Sequence, residues 1–383
     1  MKPLPFGSGL KAYEDQAAAL LRGWVAEDPL AIKIFREHHP RFLDERITWL
    51  PKHLSDAEVK RVTIDLADAR LATARCYSFQ DWSRLVEWVT AIAEPGSPIA
   101  TFEAAVEAVI TGDLATLDRL LATTPTLTTA RSTFVTCHDP PVHGATLLHY
   151  IAANGVEGFR QKTPKNAVTV ARRLLDGGAD PNALAWMYGG QCTTMSMLVS
   201  STHPAEAGVQ VALVDTLVDY GAGVTALGTG TWTSPLMTAL VFGYLDAAQA
   251  LVRRGARVDT LAEAAGLGLL ETVRQRLPTA SADDRHRALA LAAQLGHVDI
   301  VRLLLDRGED PNRYNPDGLH SHGTPLHHAA LAGHDAVVRL LVERGGRLDI
   351  TDTLWQGTPL GWAEYGGRKE IADYLRAREA GAD

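Results

Sequence analysis

The stretch Gly323-Thr324-Pro325-Leu326-His327-His328-Ala329-Ala330-Leu331-Ala332-Gly333-His334 decides how this chain is read. It opens a segment, and related openings stand at Ala145-Thr146-Leu147-Leu148-His149-Tyr150, Thr233-Ser234-Pro235-Leu236-Met237 and Gly357-Thr358-Pro359-Leu360-Gly361-Trp362. A second phrase closes segments: Leu174-Leu175-Asp176-Gly177-Gly178-Ala179-Asp180-Pro181-Asn182 and Leu304-Leu305-Asp306-Arg307-Gly308-Glu309-Asp310-Pro311-Asn312. Weaker closings run through Gly221, Gly255 and Gly345, each read as a helix end with glycine in the left-handed position. Between the phrases, Ile300, Val301, Leu304 and Leu305 share one face of a helix over residues 298–305. A pair of helices cannot bury such a face alone, but stacked pairs can. Ala292, Ala293, Ala329 and Ala330 are small where inner helices must approach closely.

These residues resemble the ankyrin repeat, whose signature is TPLHxAAxxGH followed by a second helix and LLxxGADxN. The resemblance covers roughly residues 101–380 as about eight units. It implies an all-α solenoid of antiparallel helix pairs joined by β-turn fingers. It also implies that His149 and His327 hold turns, and that His203, His297 and His334 occupy the structural position after the glycine.

The spacing is uneven. The residues taken to close the inner helices are 112, 155, 202, 243, 268, 296, 333 and 366, so the intervals are 43, 47, 41, 25, 28, 37 and 33. A unit should take about 33 residues. Three enlarged units therefore come first, with extra length in residues 132–144, 156–166, 183–193 and 203–210. A gap in the row of fingers is expected between residues 258 and 284. Residues 1–95 form a separate helical domain that caps the first repeat, with Leu10, Tyr13, Ala17, Leu20, Leu21 and Trp24 at helical spacing. The turn Tyr77-Ser78-Phe79-Gln80-Asp81-Trp82 looks like the GFxSW turn that precedes ankyrin arrays in many bacterial proteins.

Of 383 residues, 37 are basic and 45 acidic, a net charge of −8. That balance offers no general basic face for nucleic acid. No run of 18 apolar residues marks a membrane span. Three cysteines (Cys76, Cys137 and Cys192) do not make a disulfide framework, and a reducing cytoplasm is the expected home.

Candidate binding residues come from the positions the repeat leaves unexplained. Tyr150, His328 and Trp362 share one register position that should face the concave groove. Trp186, Tyr188, Trp232 and Trp355 fall in fingers, where an aromatic is either a binding anchor or finger-on-finger packing. His320 and His322 form a local pair near His328. Arg160, Lys162 and Lys165 make a basic insertion that could receive a carboxylate or phosphate, or could be a solvated loop. If the two enlarged fingers converge, Cys137, His138, His143 and Cys192 could supply four zinc-type ligands. Their spacing matches no standard zinc motif, and Pro140-Pro141 would stiffen that loop without metal.

No GxxxxGK, GxSxG, HExxH or CxxC motif is present, and no cofactor is expected. The leading expectation is recognition of a protein or peptide in the groove. The second is a small-molecule or enzymatic site on the enlarged repeats, residues 132–210.

Overall fold

The computed structural model describes residues 1–380 except 154–155, 226–227 and 230–233. The expected helix pairs are present. Ala282–Gln294 is followed by Val298–Asp306, Pro325–Ala332 by Asp335–Glu343, and Pro359–Tyr365 by Lys369–Ala380. Proline at the first position of Pro325–Ala332 and Pro359–Tyr365 suits a helix start, where its missing N–H costs nothing. The Thr358 hydroxyl accepts from Gly361 N at 3.3 Å. His327 Nδ1 accepts from Thr324 N at 3.2 Å, which leaves the ring proton on Nε2 to donate to Gly357 O in the next finger at 3.1 Å. His149 Nδ1 accepts from Thr146 N in the same way, also at 3.2 Å.

The glycine after an inner helix has a second task. Gly296 has φ +81°, and a Cβ there would lie 2.6 Å from the His334 ring. That ring donates through Nε2 to Gln294 O at 2.9 Å. His297 does the same across Gly268 to Gly266 O at 2.8 Å. Bare glycine lets a side chain of the following repeat reach a carbonyl that the helix end leaves unpaired.

Two details differ from the sequence reading. Thr202 starts the helix Thr202–Glu206 rather than closing one. In the last repeat it is Gly367 (φ +66°), not Gly366, that carries the left-handed turn. The finger gap is where it was expected: only residues 254–260 separate Leu245–Arg253 from Leu261–Gly266, and only residues 277–281 separate Leu270–Arg276 from Ala282–Gln294.

Contacts divide the chain into two compact units, one built on Met1–Gly223 and the other on Thr233–Asp383. In the second unit, Ala288, Leu289, Ala292, Ala293, Leu326, Ala329 and Ala330 share one core with the outer helices.

The first unit holds the N-terminal helices together with the enlarged repeats, so the expected break at residues 95–101 does not separate compact bodies. Leu10–Val25, Pro29–His38 and Leu66–Cys76 bury Leu20, Ile34, Phe35, Phe42 and Ala69 in a core of their own. A second cluster joins Tyr13, Tyr77, Phe79, Leu85 and Trp88 to Phe134 of the first finger. Phe79 stacks on Phe134 at 4.3 Å between centroids. The backbone locks the same contact, with Gln80 N donating to Val135 O at 3.2 Å and Cys137 N to Ser78 O at 2.9 Å. The finger over residues 132–144 is closed by antiparallel bridges Arg131–Thr146 and Val135–Val142. The next finger is a two-stranded hairpin, Ala185–Met187 with Gly190–Cys192, turning through Tyr188 and Gly189 at φ +51° and +78°.

Phe79→Ala should therefore cost about 3–5 kcal/mol in urea unfolding of the full chain. A loss under about 1 kcal/mol would mean that the N-terminal helices are not locked to the first finger.

Candidate functional site

In the second unit, the fingers over residues 313–323 and 350–357 gather the aromatic candidates. Each finger is closed by its backbone, Asn315 N to Gly323 O and Asp352 N to Gly357 O, both at 2.8 Å. Two bonds join them, Thr353 N to His322 O at 2.9 Å and the Tyr314 hydroxyl to Thr351 O at 2.6 Å. Asp352 is fully buried and organises its finger. Its carboxylate accepts from the N–H groups of Leu354, Trp355 and Gly357 at 2.9, 2.6 and 2.8 Å, and from Trp362 Nε1 at 3.0 Å. Burial works against its charge, but these donors hold its pKa below the ordinary carboxylate value.

Around the fixed indole of Trp362 the rings close up. His322 lies 5.6 Å and His328 5.1 Å from it, centroid to centroid. His320 stacks on His328 at 5.2 Å, and Trp355 meets His322 edge-on at 5.1 Å. Burial lowers the pKa of His320 and of His322. His320 donates through Nε2 to Val241 O at 3.0 Å. Burial, with His320, His322 and His327 adding to it, pushes His328 down to about 3. Trp355 remains 51% exposed above this group. The arrangement is a cluster of rings packed mostly edge to face, with one Trp held out to solvent.

Of the groove-facing trio, none is a surface residue. His328 and Trp362 are buried beneath the platform, and Tyr150 is buried in the first unit. The expectation for Arg160 is also corrected. Its guanidinium is not free to take an external anion, because it already holds two buried carboxylates, Glu103 through Nη2 and Glu157 through Nη1, the latter at 2.8 Å. Phe159, Trp88 and Phe134 lie against the guanidinium at 5.0, 5.6 and 5.6 Å. Glu157 also accepts from the Tyr150 hydroxyl at 2.6 Å and from His143 Nε2 at 2.8 Å. His143 Nδ1 accepts from Ala145 N at 3.1 Å, so the proton on Nε2 faces the carboxylate. Burial raises the Glu103 carboxyl, and it also resists the charge of Glu157, but Arg160, His143 and Tyr150 outweigh it and hold Glu157 low.

The zinc quartet fails for the same reason. Both His143 ring nitrogens are spent, and the Cys192 thiol is buried, bonded to Ala185 O at 3.6 Å and pushed up to about 12 by burial. No group of three His, Cys, Asp or Glu among the described residues is placed to hold a metal ion. Trp186 and Tyr188 are 47% and 51% exposed on the hairpin, Lys162 is exposed, and His138 approaches Tyr188 at 6.4 Å. Trp232 lies outside the described residues.

Sequence reasoning missed Glu103, Glu157 and Asp352. Glu103 had a signal, since it is one of only two carboxylates in an otherwise apolar helix, beside Phe102, Ala105 and Val106, and a carboxylate on that face calls for a buried cation. Asp352 could have been found as the start of a turn into Gly357.

Two measurements check this description. Arg160→Met should destabilise the chain by about 3–5 kcal/mol, because it strands two buried carboxylates; a neutral effect would contradict the cluster. The depressed pKa of His328 means that its contribution to stability is complete above pH 6.5 and falls away as pH drops towards 3, since only the unfolded chain takes up the proton. His328→Gln should flatten the stability profile between pH 6 and pH 4 by about 1.4 kcal/mol per pH unit. Identical slopes would place His328 in water.

Comparison with known proteins agrees with this architecture. A family model described as ankyrin repeats (3 copies) matches residues 314–383, and one for the single ankyrin repeat matches residues 285–316. The chain is 36% identical over 121 residues to the cyclin-dependent kinase 4 inhibitor B of Bos taurus, covering 30% of this chain and 89% of that protein. It is 36% identical over 128 residues to the Homo sapiens protein of the same name, covering 32% and 88%. It is 34% identical over 128 residues to cyclin-dependent kinase inhibitor 2A of Homo sapiens, covering 32% and 79%. These relatives are mammalian and lend nothing to the bacterial resemblance of residues 77–82. No helix among the described residues is long and apolar enough to cross a membrane. The helix pairs, the left-handed glycines, the locking histidines and these matches together make the chain a member of the ankyrin-repeat family.

Proposed function

We propose that this chain binds a protein partner through the aromatic platform of the second unit, with Trp355 as the anchor, His322 against it and Tyr314 on the adjoining finger. The observation that carries the reading is the half-exposed indole of Trp355 on a finger otherwise fixed by the buried Asp352 carboxylate. A large ring held rigidly in water loses little conformational entropy on binding and gains much buried area. Neutral imidazoles and a satisfied carboxylate suit contact rather than proton transfer. In the first unit, Trp186 and Tyr188 on the hairpin offer a second contact of the same kind. The relatives are named as inhibitors of cyclin-dependent kinases, so a protein kinase is the class of partner to try first.

Immobilised full-length chain and its Trp355→Ala variant would be compared against purified cyclin-dependent kinase 4, and against cell extract read by quantitative mass spectrometry. The expected result is at least one protein bound by the wild type and weakened tenfold or more by the substitution, with thermal unfolding unchanged. Equal capture by both forms would remove Trp355 from the binding surface.

A further inference from the structure

The first unit contains a cavity of about 960 Å³ between the N-terminal helices and the first finger. Its walls come from the end of Pro29–His38, the loop after it, the end of Leu66–Cys76, the tip of the finger over residues 137–141, and Gly158 and Phe159. They are fixed to one another: Cys137 N donates to Ser78 O at 2.9 Å, and Gly158 N to the Ser78 hydroxyl at 2.8 Å. The volume is at the upper end of the roughly 300–1,000 Å³ typical of small-molecule sites.

Arg75 is the one arginine or lysine among the lining residues, which also include the carboxylates of Glu37, Asp44, Glu45 and Asp139. Arg75 stands in the last turn of its helix, half-buried, and makes no ion pair among the described residues; its Nε is buried without an acceptor. The lining carboxylates are mostly engaged elsewhere. Glu37 faces Lys33 at 3.7 Å and Glu45 faces Lys52 at 3.8 Å. Asp44 accepts from the N–H groups of Arg46 and Ile47 at 2.8 and 2.9 Å. Asp139 is exposed at the rim. A guanidinium at a cavity wall without a carboxylate partner is open to an anion from solvent. His38, half-buried, and His138, exposed at the rim, line the same space; desolvation lowers the pKa of both, opposed at His38 by Glu37, with Arg75 adding a smaller downward effect. Each therefore offers one ring N–H. The Cys76 and Cys137 thiols beside them are also held protonated by burial, Cys76 at about 12.

We propose that this cavity is a binding site for a small organic anion, a carboxylate or a phosphate, held by the Arg75 guanidinium with His38 and His138 as neutral donors. The ligand is bound and not transformed, since no thiolate or free carboxylate stands ready at Arg75. The site also gives the enlarged first repeat a purpose. Residues 132–144 and 156–166 are the lengthened segments, and both supply walls of the cavity. The proposal is independent of the protein-binding platform.

Citrate and inorganic pyrophosphate, at constant ionic strength, serve as the carboxylate and phosphate probes in calorimetric titrations of the full chain. At least one should bind saturably with a stoichiometry of one, and its preference over the other identifies the anion. Arg75→Gln should weaken that binding tenfold or more, and Trp355→Ala should leave it unchanged. N-ethylmaleimide labelling of wild-type Cys137 should slow several-fold under the saturating probe while the buried Cys192 is unaffected, a readout that does not need the variant to fold. Absence of saturable binding by both probes, equal binding by Arg75→Gln, or Cys137 labelling indifferent to both probes would each overturn the proposal.

Discussion

The interaction on which the second unit depends is a hydrogen bond from one repeat to the end of the previous inner helix. His297 reaches Gly266 O, His334 reaches Gln294 O, and in the last repeat Arg368 Nε reaches Leu331 O at 2.9 Å. In each case a glycine with positive φ, Gly268, Gly296 or Gly333, leaves the space that the incoming side chain fills. Helix ends carry carbonyls without intrahelical partners, and a stack of short helices has many of them. Satisfying them from the neighbour converts a weakness of each pair into the bond between pairs. The alanine-rich inner faces can then close, and the fingers that follow the outer helices are held at a fixed spacing. The aromatic platform exists because two such fingers are close enough for the Tyr314 hydroxyl to reach Thr351 O.

The first unit solves a different problem. Its long finger and the insertion after it cannot be packed by repeat contacts alone, and the interior is filled by Glu103, Arg160, Glu157, His143 and Tyr150. Ion pairs taken out of water gain little net stability, because desolvation offsets the attraction. Their effect is geometric. Glu157 receives hydrogen bonds from three side chains, so the finger, the inner turn and the insertion are tied to one point. The neighbouring Phe79–Phe134 stack then joins the N-terminal helices to the same finger. Among the described residues Arg75 has no such ion pair, in contrast to Arg160, and the proposed anion site rests on that difference.

Much of this was legible in the residues. The phrases around Gly308 and Gly333 fixed helix ends because only glycine takes the left-handed turn cheaply, and the short intervals between residues 243 and 296 foretold the missing finger. His320, His322, His328, Trp355 and Trp362 were selected as candidates and do come together. What the sequence did not reveal was which of them would be covered, since the burial of His328 and Trp362 depends on the adjacent finger. The basic insertion misled for a related reason: Arg160 looked solvated until Glu103, more than fifty residues away, was seen to face it. Arg75 was invisible, because an arginine in the last turn of a helix is ordinary. Its isolation appears only when the finger closes over it.

Stacked inner helices form the stable frame, and the fingers are the segments we propose to carry the binding groups. Hydrogen–deuterium exchange of the full chain tests it most directly. The slowest amides should lie in the inner helices Pro98–Thr111, Ala282–Gln294 and Pro325–Ala332, with the finger tips over residues 137–141, 188–190 and 316–322 exchanging far faster. Equal protection of tips and inner helices, or slow exchange confined to the fingers, would contradict it.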